Sequence, residues 1–199
     1  MNINFDYNSP VIITYLLISL GAWFLNTITR GKTNKLLFSS YRSSPWNPLT
    51  YIRLITHSIG HQDWAHFVSN FLYILLIGPM IEEKYGSINL LAMLIITSLI
   101  IGLYNTIFSN YTIMGASGNV YMLIILSSFS NIAEGKIPLT LVLIFLFYIT
   151  TELRDSLLHG NKKIYHDGHI LGAFCGIGFG FLFLYYPNII MNLINTMIK

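Results

Sequence analysis

The chain has 199 residues, of which 54% are hydrophobic and 10% charged, with a formal net charge of +3 and a mean hydropathy of +0.61. A soluble domain carries roughly 25% charged residues, so the composition excludes an ordinary soluble globule and predicts an all-α, polytopic membrane protein. The thin positive charge, with no basic cluster interleaved with aromatics, excludes nucleic acid as a partner, and the single Cys175 excludes an internal disulfide and a multi-cysteine metal site.

A bilayer core of ~30 Å takes about 20 apolar residues per helix. The pattern predicts one domain over 1–199 with six spans, at about 11–28, 65–81, 88–108, 117–130, 138–151 and 167–186. The N-terminus lacks the basic region and cleavage site of a removable signal, so the first helix is expected to stay attached. That span is entered by Ser9-Pro10, ends at Thr29-Arg30-Gly31, and carries no acid or base. From Lys32 to Trp64 the chain holds Pro45, Pro48, Trp46 and Trp64 and reads as a structured interfacial loop.

The second span opens with His66 and Asn70, four apart and therefore stacked on one helix face. Buried unpaired in lipid, each would cost a few kcal/mol, so both are expected to face protein, either as site residues or as hydrogen-bond partners of neighbouring helices. Glu82-Glu83-Lys84-Tyr85-Gly86 reads as a solvated helix end, Glu82 additionally tying loops together. The third span, 88–108, reads as an ordinary lipid anchor that contributes no catalytic group.

Next comes Gly115-Ala116-Ser117-Gly118. Small residues in apolar helices commonly serve close packing alone, and G-x-S-G by itself is a weak motif. A serine hydroxyl becomes a nucleophile only with a base in reach and donors for the oxyanion it creates. From Ser117 to Ser130 there are 14 residues, roughly 21 Å of helix. That falls short of the bilayer core, so the serine is expected below the surface, where irregular backbone is tolerated only against protein or a water-filled cavity. The fifth span, 138–151, is equally short and holds no candidate catalytic residue.

The sixth span opens with Tyr165-His166-Asp167-Gly168-His169, and glycine recurs at 168, 172, 176 and 180. Such a period leaves a groove in which another helix approaches almost to backbone contact. The helix carrying Gly115, Ala116 and Gly118 is the economical partner, which predicts a Ser117/His169 dyad. Tyr121, four residues after Ser117, is expected to stack on the imidazole; Asp167 is a weaker orienting candidate. The Ser117 N–H at a helix N-terminus, with His66 and Asn70, would hold the oxyanion.

These residues resemble the rhomboid intramembrane serine proteases, whose signature is H-x-x-x-N on the second helix, G-x-S-G on the fourth and H-x-x-G-x-x-x-G on the sixth. Here the motifs read His66 to Asn70, Gly115 to Gly118, and His169 through Gly172 to Gly176. The likeness runs over roughly residues 10–187. It extends to Arg53-Leu54-Ile55-Thr56-His57 and His61 in the first loop, with Ile52 where an aromatic is common and Asn119 as a further variable point. The resemblance implies a six-helix bundle in a membrane, expected to be the cell membrane. It also implies cofactor-free and metal-free endopeptidase cleavage of single-pass transmembrane proteins. Substrate entry is expected between the second and fifth spans; Phe71 or Ile74 with Phe145 or Phe147 are trial pairings across that gate, the facing pair being open.

Two rivals stand beside this reading. A catalytically inactive rhomboid-like protein that binds membrane clients would be marked by loss of Ser117 or His169, and both are present. A metal enzyme using His57, His61, His66, His166 and His169 lacks an H-E-x-x-H motif and a cysteine pair. On topology, charge and resemblance disagree. The first, third and fifth loops hold Arg30, Lys32, Lys35, Arg42, Arg53, Arg154, Lys162 and Lys163, which places the first loop inside by charge. The resemblance places it outside with both termini inside, and we adopt that orientation as the expectation.

Overall fold

The computed structural model describes residues 7–129 and 166–188, with positions 139, 142, 143, 146, 147, 150, 192 and 196. Apart from those isolated positions, the expected fifth span and the polar loop after it lie outside the described residues. The described chain is all helical: α1 (Pro10–Ile28), α2 (Lys32–Leu37), α3 (Pro48–Thr56), α4 (Trp64–Tyr85), α5 (Ser87–Phe108), α6 (Ser117–Ser128) and α7 (His166–Tyr185). Four of these, α1, α4, α5 and the Asp167–Tyr185 part of α7, are long and apolar enough to cross a membrane. This is a multi-pass membrane protein.

α1 begins with Pro10 at its first turn, and its exposed N–H groups are satisfied from far along the chain. The Glu82 carboxylate accepts from the backbone N–H of Val11 (3.0 Å) and Ile12 (3.1 Å) and from the Ser87 hydroxyl (2.7 Å). A solvated helix end was the expectation here, yet Glu82 is only 4% exposed. A buried carboxylate is stabilised by the positive end of α1, and α4 accordingly continues through Pro79 to Tyr85.

The long first loop folds into α2 and α3, braced by Arg53. Its Nη2 donates to Ser43 Oγ at 2.8 Å, and its guanidinium lies 4.3 Å from the Tyr41 ring centroid. Counted by sequence as a loop charge, Arg53 is buried and serves as an internal cross-brace. The loop then pairs with the segment before α6, Ser40 and Ile113 exchanging two backbone hydrogen bonds at 2.9 Å.

α5 is more than a lipid anchor. Leu90, Met93, Leu94, Thr97, Ser98, Ile101, Gly102 and Asn105 recur every three or four residues and are all buried. Gly102 lies against the Leu54 backbone with no room for a Cβ. Asn105 Nδ2 donates to the carbonyls of Ser40 (3.0 Å) and Tyr111 (3.1 Å). The apolar outer face of α5 hid this inner stripe from a hydropathy reading. The core joins Ile12 of α1, Phe67, Phe71 and Ile74 of α4, Leu90 and Met93 of α5, and Met122 and Leu126 of α6.

Candidate active site

The glycine period on α7 decides where the site forms. A Cβ on Gly172 would collide with the Gly118 carbonyl; one on Gly176 would stand 2.6 Å from the Met122 oxygen, and one on Gly180 would enter the Phe129 ring. Gly118 in turn lies against Ile101 and the Gly168 carbonyl. α6 and α7 therefore cross at near backbone contact. At the N-terminal end of that crossing, His169 Nε2 and Ser117 Oγ are hydrogen-bonded at 3.0 Å.

The His169 imidazole packs on Tyr121, with ring centroids 4.4 Å apart and planes tilted by 34°. Asp167 is engaged elsewhere, accepting from the Tyr104 hydroxyl at 3.4 Å. Packing against an aromatic face fixes the plane of the imidazole, and at this distance a neutral ring can accept the serine proton.

The backbone leading into Ser117 is held by two histidines of the first loop. Gly115 N–H donates to the His57 carbonyl at 2.9 Å, and Ala116 N–H donates to His61 Nε2 at 3.4 Å. His61 Nδ1 faces the Ile59 carbonyl at 3.1 Å, so the ring donates there and accepts at Nε2, which only a neutral imidazole does. His57 Nε2 donates to the Ser98 carbonyl at 2.9 Å. Burial pushes each of these histidines down to about 4. Their resemblance to a family loop was legible in sequence, but their grip on the serine turn was not.

Gly115 has φ of +121°, a conformation that favours glycine. A Cβ there would also meet the His66 ring, at 2.6 Å from Cε1 and 2.7 Å from Nε2, with Asn70 Nδ2 at 3.6 Å. The helix face carrying His66 and Asn70 thus abuts the serine turn. Asn70 Nδ2 is buried with no hydrogen-bond partner among the described residues. An unpaired buried donor costs about 1–3 kcal/mol, so a group that develops negative charge beside it gains a ready partner.

Asn119, directly after the serine motif, is 3% exposed. Its Nδ2 donates to Tyr15 Oη (3.2 Å) and Ser98 Oγ (3.1 Å), and the Tyr15 hydroxyl donates to the Ser58 carbonyl (2.8 Å). A cavity of about 20 Å³ lies among Ser98, Met114, Gly115, Ser117 and Asn119, the size of about one water molecule. The available signal was an amide two residues past the serine in an otherwise apolar helix. Phe71 and Ile74, candidates for the face toward the fifth span, are 1% and 0% exposed and pack in the core with Ile12 of α1; Phe145, on the other side of the expected gate, lies outside the described residues. Its outward face carries Leu72, Tyr73 and Leu76.

Apolar helices packed around a hydrogen-bonded serine–histidine pair define a multi-pass membrane protein with a candidate dyad. The chain belongs to the rhomboid family, the Rhomboid domain matching residues 48–186. It is similar to Rhomboid protease GlpG of Haemophilus influenzae, with 28% identity over 138 residues, 65% of this chain and 68% of that protein. Rhomboid-like protein 11, chloroplastic, of Arabidopsis thaliana is 21% identical over 195 residues, 91% of this chain and 68% of that one. Rhomboid protease GlpG of Yersinia pestis (strain Pestoides F) is 23% identical over 117 residues, 57% of this chain and 41% of the relative.

Proposed function

We propose that this chain is an intramembrane serine endopeptidase of the cell membrane, cleaving single-pass transmembrane proteins with Ser117 and His169 and no cofactor. The observation that carries this reading is the 3.0 Å contact between Ser117 Oγ and His169 Nε2 at a helix crossing too close to admit a side chain at Gly172 or Gly176. His169 takes the hydroxyl proton as Ser117 attacks the scissile carbonyl, then returns it to the leaving amine. Water completes hydrolysis of the acyl-enzyme by the same route in reverse.

The tetrahedral oxyanion is held by the Ser117 N–H at the start of α6 and by His66 and Asn70, each such donor being worth about 2.7–4 kcal/mol. The unpaired Asn70 Nδ2 supports that assignment. Gly115, Gly118, Gly172 and Gly176 supply the turn and the close crossing, and Tyr121 sets the imidazole plane.

The test is cleavage of a panel of model single-pass substrates in liposomes, with products identified by mass. Cleavage by the native chain and none by Ser117→Ala is the expected result. Cleavage that persists in Ser117→Ala removes the nucleophile assignment. A native chain that binds the panel and cleaves none of it is a client-binding protein instead.

A further inference from the structure

A second cavity, of about 380 Å³, opens between the end of α1, α2 and the segment before α6. Met114 lines it, and Met114 also lines the small cavity that holds Ser117, so the two cavities adjoin the same residue. Met114 precedes Ser117 by three residues, at most about 10 Å of extended chain. A peptide whose scissile bond lies at Ser117 therefore reaches the larger cavity within about three of its own residues.

The chemistry of the walls is specific. Lys35 is the one charged side chain lining the cavity among the described residues; Gln62 and Thr112 add exposed polar groups. Asn34 is 4% exposed, and its Nδ2 is committed to the His61 carbonyl at 2.8 Å, which fixes the amide orientation. Its Oδ1 is buried without a hydrogen-bond partner among the described residues. Asn34 Oδ1 is closed off from the cavity, so the group left to recognise an occupant is Lys35; it has no ion-pair partner among the described residues, and an aspartate or glutamate in an extended peptide supplies one.

We propose that this cavity is a substrate subsite for an acidic residue within three positions of the scissile bond, with Lys35 as the specificity-determining side chain. The inference rests on the endopeptidase reading, because it takes the occupant to be a substrate chain. A phospholipid phosphate is the competing occupant for the same ammonium.

The test uses the full chain carrying Ser117→Ala, in zwitterionic nanodiscs, with transmembrane peptides that bear Asp, Asn or Lys at each of the three positions on either side of the bond. Affinity is read by fluorescence anisotropy, with Lys35 intact and with Lys35→Glu. At one position Asp should bind about fivefold tighter than Lys, as for a partly exposed ion pair, and Lys35→Glu should invert that order. With Ser117 restored, kcat/KM should follow the same inversion. No inversion at any position overturns the proposal. A uniform effect of Lys35→Glu on all peptides, seen only when anionic phospholipid is added, also overturns it and assigns the cavity to a lipid headgroup. Inverted binding without any cleavage by the native chain sinks the endopeptidase reading and with it the cavity's substrate role, whereas cleavage without inversion sinks the subsite alone.

Discussion

Gly172 on α7 stands so close to Gly118 on α6 that a Cβ on the first would overlap the carbonyl oxygen of the second. This contact fixes the distance between the helices that carry His169 and Ser117. Gly172→Leu should therefore abolish cleavage together with thermal stability, and Gly172→Ala should destabilise by about 1–3 kcal/mol through overpacking. Gly178, on the same helix with open space around it, is the control: Gly178→Ala should be neutral or raise the unfolding temperature. Equal behaviour of the two alanine variants in a detergent melt would remove the helix crossing as the origin of the effect.

The dyad predicts non-additivity. Ser117→Ala and His169→Ala should each eliminate turnover, and the double variant should be no slower than either single one, since the two side chains act as one unit. His66→Ala and Asn70→Ala should lower kcat, each by about 100-fold, while leaving a measurable residual rate. Unchanged kcat in both would detach α4 from the oxyanion.

Tyr15 and Asn119 meet at 3.2 Å although 104 positions separate them in the chain. Tyr15→Phe and Asn119→Ala should each destabilise by about 1–3 kcal/mol, because each leaves a buried partner unpaired. Their losses should couple by more than 0.5 kcal/mol in a double-mutant cycle. Purely additive losses would show that the two side chains stabilise the fold separately.

Acid should loosen the serine turn. His57 and His61 ionise at about 4 in the fold, below the ordinary value near 6.5, because burial disfavours the imidazolium. Between those values the unfolded chain binds protons that the folded chain does not, so stability falls as pH drops from about 6.5 to about 4. Protonated His61 also loses the acceptor that holds Ala116 N–H. The melting temperature should decline across this window, and His61→Gln should flatten the decline; a pH-independent midpoint in the native chain would contradict the assignment.

Sequence alone determined the class of fold and brought forward the residues that the structure gathers. Hydropathy marks membrane helices because lipid requires long apolar runs, and His66 with Asn70, Gly115 to Gly118 and His169 to Gly176 are legible because each set lies within two helical turns. Tertiary structure decided what no local spacing encodes. Glu82 reaches the start of α1 across 71 positions and Tyr15 reaches Asn119 across 104, contacts set by which helices cross and at what depth. The inner stripe of α5 shows the same limit. Its Ser98 and Asn105 sit among apolar residues that suit lipid and protein equally well, so hydropathy cannot tell which face is buried, and only the packing of α3, α6 and α7 against α5 settles it.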